Sequence, residues 1–565
     1  MRMSTDRGFD QVVALATIVA SVEAGVAIFD TARVYGPGPA EFGHNERLLA
    51  RAIRRSGAQA TARIVTKGGM TRSGGAWIPD GRAKAIRSDC EASLTALDGL
   101  PIDLYLLHAP DPRTPWRTSI RALARLVDEG LVRRIGVSNV NRGQLDEALD
   151  LAPVAAVQVA LSPYDDRAVR GGIVERCAEA GITFIAHSPL GGPRRSGGVA
   201  RDPDLVSVAE ATGATPAEVA LAWVLQVSPV VVAIPGARRP ETARSAARAG
   251  GLVLDTRARA TLDRRFGVLG PARVKRANLT GAEEVVLVMG IPGAGKSRFA
   301  RDYVDRGYLR LNRDSRGGSL RQLADALDEV LTAGARRVVL DNTYLTRAAR
   351  NHVVVTASRH GLPARCIWLD TPLAQAQVNL VERLLERFGH LPSPEEVRAL
   401  ARSEPWLLLP TSQMRALREL EKPSSDEGLA GVKRVEFARA PSSRLSRAGV
   451  LVAAAAMRKP GWERALEQGE AGASHLVFDW SPDGSVDELR DSVARVANRV
   501  AGPVESALCP HPGGPPSCWC RPPLPGLPLA FARTHGIELS HSLLIGAGPA
   551  HRTLATALGT RYVGG

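Results

Sequence analysis

The sequence predicts an α/β protein built from a (β/α)8 TIM barrel, a P-loop α/β domain and a Rossmann-like α/β domain. Three observations carry this. At 565 residues the chain is too long for one core and long enough for several. Between residues 10 and 266, apolar runs at 27–29, 63–66, 104–107, 134–137, 155–159, 182–186 and 230–234 alternate with amphipathic stretches such as 117–129 and 171–180. Runs that are apolar throughout belong to strands buried on both faces, and their alternation with helices over this length implies a parallel barrel. Two stretches rich in Gly, Pro, Ser and Arg, at 267–282 and 440–447, read as linkers. They set the domains at 1–268, 282–439 and 447–565.

Composition narrows the function classes. The apolar runs at 285–289 and 450–457 are far shorter than a membrane span, so no membrane role is expected. No secretory signal is visible at the N-terminus, and six cysteines, three of them between 509 and 520, suit a reduced cytoplasm. The net charge of +15 invites a nucleic-acid reading, yet lysine supplies only seven of the 73 basic residues, which points to compositional bias. That scarcity gives weight to Lys67 and Lys296, which both fall inside chemical motifs.

In the barrel, catalytic groups sit where strands end. Asp30 ends "AIFD", Lys67 ends "RIVTK", His108 ends "DLYLLH", and Tyr35 follows Asp30 by five residues. An ammonium beside a tyrosine hydroxyl favours proton release, Asp30 would hold Lys67 charged, and His108 would orient a carbonyl oxygen. Each residue alone has an ordinary structural reading as a cap, a rim aromatic or a core histidine. Four at successive strand ends do not.

Over almost 240 residues the motifs "FDTARVYG…GHNERLLARAI", "IVTKGG", "IDLYLLHAPD", "RRIGVSN", "VAAVQVALSPY", "AHSPLGG" and "VVVAIPGARRPE" follow one another in an order that resembles the aldo-keto reductases. The resemblance implies reduction of a small aldehyde or ketone by NADP(H), with Tyr35 as acid. It places Ser138, Asn139 and Gln158 against the nicotinamide, and Ser188 and Leu190 along the dinucleotide. Gly236, Arg238 and Arg239 would meet the adenosine end, where a guanidinium suits the 2′-phosphate of NADP. One departure is visible: few residues, mostly polar, precede the predicted helix at Gln11–Glu23, where the family has a first strand. Either the start lies farther upstream or a substitute strand closes the barrel.

The second unit opens on "EEVVLVMGIPGAGKSRFA", an apolar strand, then Gly290-x-x-Gly293-x-Gly295-Lys296-Ser297, then a helix. Such a loop wraps phosphates with backbone N–H groups. Lys296 reaches the β/γ oxygens of ATP and Ser297 ligates Mg²⁺. Beyond it, Asp314 follows a second strand in "YLRLNRDSRGGSL", and "RRVVLDNTYLTRAAR" gives a third strand ending at Asp341. A helix at 377–389 carries Arg383 and Arg387 on one face. This order resembles the polynucleotide 5′-hydroxyl kinases. By that resemblance Asp314 is the general base for a 5′-hydroxyl of RNA or DNA, Arg383 or Arg387 stabilises the transferring phosphoryl group, and Asp341 and Thr343 position substrate or metal.

The third unit carries "CPHPGGPPSCWC", whose Cys509, His511, Cys518 and Cys520 can close a tetrahedral structural Zn²⁺ site. From there to the C-terminus the chain resembles the zinc-containing histidinol-phosphate and heptose-bisphosphate phosphatases of the haloacid dehalogenase type. The carboxylates of that chemistry are missing. "AGVLVAAAAMRKP" has alanines in place of the nucleophilic aspartates, Pro522 replaces a lysine, and Ala547 replaces a metal-binding acid; only Asp479 and Asp483 lie nearby. The whole reads as a multifunctional end-healing enzyme with an inactive phosphatase-like domain and a nucleic-acid ligase as partner. The alternatives are a metabolic reductase fused to a small-molecule kinase, and a nonenzymatic scaffold that binds NADP and nucleic-acid ends.

Overall fold

The computed structural model describes residues 10–73, 76–193, 195–267, 283–401, 404, 406–437, 447–484 and 486–564. The stretches read as linkers fall almost wholly outside these residues. The chain forms two compact units, Met1–Ala272 and Arg273–Gly565.

In the first unit the strands are β1 (Ile28–Asp30), β2 (Arg63–Gly68), β3 (Met70–Ser73), β4 (Ala76–Pro79), β5 (Leu104–Leu107), β6 (Ile135–Ser138), β7 (Val154–Ala160), β8 (Thr183–His187) and β9 (Val231–Ile234). Seven of them pair in parallel in the order β1-β2-β5-β6-β7-β8-β9, while β3 and β4 form an antiparallel hairpin. The expected (β/α)8 barrel is present in nearly closed form. Among the described residues it has seven strands, and β1 and β9 do not pair with each other. Each of these strands coincides with one of the seven apolar runs. The helical layer continues across the seam. Helix α1 (Gln11–Glu23), whose first N–H groups are capped by the Asp10 carboxylate, packs on α2 (Pro240–Ala249), the helix that follows β9.

Period-two alternation sorts the barrel side chains. Val65, Leu104, Leu106, Ala156 and Ile185 fill the interior, whereas Phe29, Ile64, Tyr105, Leu107, Val137, Val157 and Phe184 pack against the helices.

Among the described residues the second unit contains two five-stranded parallel sheets. The first is formed by β10 (Glu284–Met289), β11 (Leu309–Leu311), β12 (Arg337–Asp341), β13 (Ala364–Asp370) and β14 (Gly431–Glu436), in the order β11-β12-β10-β13-β14. Val285, Leu287 and Met289 enter the core on one face, Val286 and Val288 that on the other, as a doubly covered sheet requires. Strand order reverses at β10, so the crevice beyond its C-terminal end is the ligand position of this architecture. The loop there leads into α3 (Lys296–Val304).

The second sheet comprises β15 (Gly449–Ala453), β16 (Ser474–Trp480), β17 (Val504–Cys509), β18 (Leu543–Gly546) and β19 (Arg561–Gly564), in the order β17-β16-β15-β18-β19. One face, with Leu451, Leu476, Phe478 and Leu544, shares a core with Val378, Val381, Leu384 and Leu385 of α4 (Leu373–Phe388). That core also holds Leu407, just ahead of α5 (Pro410–Glu419).

Candidate functional site

The alternation that buries Val65, Leu104, Leu106, Ala156 and Ile185 also turns Lys67, His108, Gln158 and His187 inward at the C-terminal mouth of the barrel. Asp30, next to outward-facing Phe29, joins them from β1. Lys67 is 1% exposed, and its Nζ donates to Asp30 Oδ1 at 2.6 Å and to the Thr31 carbonyl at 2.7 Å. Gln158 Nε2 donates to the other Asp30 oxygen at 2.8 Å. Burial pushes the Asp30 carboxyl up. The Lys67 charge and the hydrogen bonds from Lys67 and Gln158 outweigh it and hold the group below the ordinary carboxylate range.

Tyr35 lies above this pair, with Lys67 Nζ 5.6 Å from its ring centre. The Tyr35 and His108 rings stand edge to face at 5.9 Å, and Trp77 of the β3–β4 hairpin closes a triangle with them at 6.0 and 5.9 Å. The structure therefore gathers Asp30, Tyr35, Lys67 and His108 as one site.

Ser138 is buried, and Asn139 Nδ2 donates to its hydroxyl and to the His108 carbonyl. Asn139 and Ser188 both adopt left-handed backbone, with φ of 57° and 52°. A non-glycine residue holds that conformation only where its surroundings over-determine it, which is common at binding sites. His187, at the end of β8, bridges the two through Asn139 Oδ1 (3.1 Å) and Ser188 Oγ (3.2 Å). Burial, with the Lys67 charge, holds the His187 imidazole below its usual range. Leu190 follows on the same turn. Gly236 leaves open space where a Cβ would stand, and Arg238 and Arg239 are exposed just ahead of α2. Sequence reasoning missed His187 and Trp77. His187 ends an apolar run as His108 does, so that rule could have found it; Trp77 carries no such signal.

In the second unit the phosphate loop joins β10 to α3. Gly290, Gly293 and Gly295 have φ of 157°, 84° and 89°. At Gly293 a Cβ would come within 2.2 Å of the Ala376 carbonyl, so only glycine fits. Asn379 donates to the Gly293 carbonyl at 2.8 Å and Gln413 to the Pro292 carbonyl at 2.7 Å, tying the loop to α4 and α5. Lys296 Nζ folds onto the Gly290 and Ile291 carbonyls. Burial pushes its ammonium down to about 8, against the charges of Asp341 and Asp314. Ser297 is exposed in the first turn of α3.

Asp314 is exposed in the short helix Arg313–Arg316 that follows β11, with its N–H donating to the capping Asn312 Oδ1 at 2.7 Å. Asp341 is buried and gripped by Arg310 through two bonds of 2.9 and 2.8 Å. Arg383 and Arg387 part company. Arg383 stacks on Trp406 at 3.9 Å, and burial lowers its pKa while the Asp314 charge opposes the shift. Arg387 instead pairs with Glu404 at 3.0 Å. Of the two, Arg383 is the one whose charge adds to the lowering of the Lys296 ammonium.

In the C-terminal sheet, Cys509 ends β17, and His511, Cys518 and Cys520 come back to it. Their donor atoms all lie within 4.8 Å of one another, with Cys509–Cys518 at 3.7 Å, Cys509–Cys520 at 3.3 Å and His511 Nδ1–Cys520 at 3.1 Å. Three sulfurs and one imidazole at this spacing fit a closed tetrahedral metal site.

An acid–ammonium pair beneath a tyrosine and a histidine, at the mouth of a parallel α/β barrel, defines an oxidoreductase of the carbonyl-reducing class. Comparison with known proteins agrees. The aldo/keto reductase family model matches residues 1–265, and an AAA domain model matches residues 285–405. An uncharacterized oxidoreductase of Schizosaccharomyces pombe is 31% identical over 260 residues, covering 46% of this chain and 80% of that protein. The aldo-keto reductase str7 of Strobilurus tenacellus is 30% identical over 246 residues, covering 38% of this chain and 70% of its own. Among solved structures, an aldo/keto reductase from Klebsiella pneumoniae in complex with NADP and acetate is 28% identical, with 49% of this chain and 92% of that chain covered and a TM-score of 0.41. The chain belongs to the aldo/keto reductase family. Its middle part is a P-loop nucleotide-binding domain.

Proposed function

We propose that the barrel reduces a small aldehyde or ketone with NADPH, and that the P-loop domain phosphorylates 5′-hydroxyl ends of RNA or DNA with ATP and Mg²⁺. In this reading residues 1–268, 282–439 and 447–565 are the reductase, the kinase and an inactive phosphatase-like domain. The assembly is cytoplasmic and works beside a nucleic-acid ligase. No helix among the described residues is long and apolar enough to cross a membrane.

The reductase reading rests on the buried Asp30–Lys67–Gln158 arrangement beneath Tyr35. Lys67, paired with Asp30 beneath the ring, favours release of the Tyr35 proton, and His108 orients the substrate oxygen that receives it. Ser138, Asn139 and Gln158 would hold the nicotinamide, Ser188 and Leu190 the dinucleotide, and Gly236, Arg238 and Arg239 the adenosine 2′-phosphate. Bound NADPH supplies hydride to the carbonyl carbon. The test is a fluorescence titration with NADPH and NADH, with aldehyde-dependent NADPH consumption. Absence of NADPH binding at tens of micromolar, an ordinary cofactor scale, overturns this half.

The kinase reading rests on the glycine-rich phosphate loop between β10 and α3, with Lys296 Nζ on the Gly290 and Ile291 carbonyls and Asp314 just beyond β11. Glycine N–H groups and Lys296 would cradle the ATP phosphates, Ser297 would ligate Mg²⁺, Asp314 would take the 5′-hydroxyl proton, and Arg383 would stabilise the transferring group. ATP supplies the phosphoryl group. Labelled-phosphate transfer to a 5′-hydroxyl oligonucleotide, run against a panel of sugars, tests the substrate class. Asp314→Ala should abolish transfer while leaving ATP binding intact, and near-normal transfer by that variant removes the base assignment.

Zinc is proposed for the Cys/His cluster in a structural role, since four protein donors leave no position for substrate. Loss of phosphatase chemistry is supported at the end of β15. There Ala453 and Ala454 lead into a turn whose Lys459 amine donates to the Ala547 carbonyl at 2.6 Å.

A further inference from the structure

The Cys/His cluster is not confined to its own sheet. Trp519, between two of its cysteines, is 1% exposed and reaches into the core shared with α4. Its indole N–H donates to the Leu408 carbonyl at 3.0 Å. Leu391, just past α4, packs on Cys509, Cys518 and Cys520. Gly526 lets the chain pass: a Cβ there would fall 2.5 Å from the Trp519 carbonyl and 2.7 Å from Leu391.

The segment that receives Trp519 has a second occupation. Two residues before Leu408, Trp406 stacks on Arg383 and donates to Glu404, which in turn pairs with Arg387. Five residues after Leu408, Gln413 holds the Pro292 carbonyl of the phosphate loop. A displacement of residues 406–413 therefore moves both Arg383 and the phosphate loop.

We infer that the Cys/His cluster is a brace for the phosphoryl-transfer site, and that Trp519 is a positioning residue which acts on Arg383 through Leu408 and Trp406. The inference rests on the kinase reading for its catalytic consequence but not for its structural one. A metal held by the four donors would fix the short loop that carries Trp519, and the indole would pass that order to a segment with no regular structure of its own at 406–409. The cluster thus takes a part in chemistry that it does not itself perform.

The test uses the full chain, with Trp519→Phe, Trp406→Ala, the double variant, and wild type stripped of zinc by a chelator. Trp519→Phe keeps the aromatic volume and removes the donor. It should lower kcat for phosphate transfer about five- to tenfold, the size of one lost hydrogen bond, with KM for ATP unchanged. The double variant should be no worse than Trp406→Ala alone, because both act through one segment. Trp462→Phe, a buried tryptophan on the opposite face of the sheet, should leave transfer unchanged. Amide hydrogen exchange of residues 406–413 supplies a readout independent of any kinase substrate. It should accelerate in Trp519→Phe and in zinc-stripped protein. Wild-type exchange in both, or additive losses in the double variant, overturns the brace. A wild type that phosphorylates no oligonucleotide overturns the kinase reading, while the exchange result still decides the brace.

Discussion

Replacing Lys67 by Met isolates the electrostatics beneath Tyr35. The change keeps most of the side-chain volume but leaves the Asp30 carboxylate buried with Gln158 as a remaining donor, the ammonium 2.6 Å away being gone. Breaking a buried ion pair from one side costs about 3–5 kcal/mol, because the remaining charge stays desolvated. The pH dependence has a defined sign. In the wild type the Asp30 pKa is depressed, so its stabilisation is present above the unfolded carboxylate pKa and lost as pH falls through the folded one. Without Lys67 the largest influence left is burial, which raises the pKa, so the carboxylate destabilises at neutral pH and is relieved as acid protonates it. Native-state hydrogen exchange of β1 and β2 peptides reads the barrel alone in this two-unit chain. The expected loss is about 3–5 kcal/mol at neutral pH, shrinking towards pH 5. Replacing both partners by apolar residues should cost less than the single change. A loss under about 1 kcal/mol that does not shrink with acid would refute the buried-pair argument.

Tyr35→Phe should cut aldehyde turnover by roughly 10²–10⁴ while leaving NADPH affinity intact, because only the proton is lost; equal weakening of binding and turnover in steady-state assays counts against the acid role. ATP affinity should fall as pH rises through about 8, where Lys296 loses its proton and with it the charge that meets the phosphates. Titration with a fluorescent ATP analogue from roughly pH 7 to 9 measures this, and a flat profile contradicts it. Chelating zinc should lower the melting temperature of the unit formed by residues 273–565 and leave that of the barrel unchanged, as read by calorimetry.

The sequence by itself determined the parallel class of the barrel and P-loop sheets and the residues near the ends of several of their strands. A buried parallel strand is a local apolar run, and a run fixes both where the strand stops and which side chains alternate inward. Asp30, Lys67 and His108 could therefore be placed at one mouth from spacing alone, and the glycines of the phosphate loop from the turns they permit. Each of the seven apolar runs became one of the seven barrel strands among the described residues. Only the tertiary structure decided what lies between distant segments. It separated Arg383 from Arg387, which helical spacing makes equivalent, by giving one Trp406 and the other Glu404. It revealed His187 bridging Asn139 and Ser188, Arg310 gripping Asp341, and Trp519 bonded to the carbonyl of Leu408, 111 residues away. The physical reason is the same in each case. A backbone carbonyl or a lone guanidinium has no local signature of its partner, because a hydrogen bond or a stack needs only proximity, and proximity between remote residues is created by the packing of whole elements.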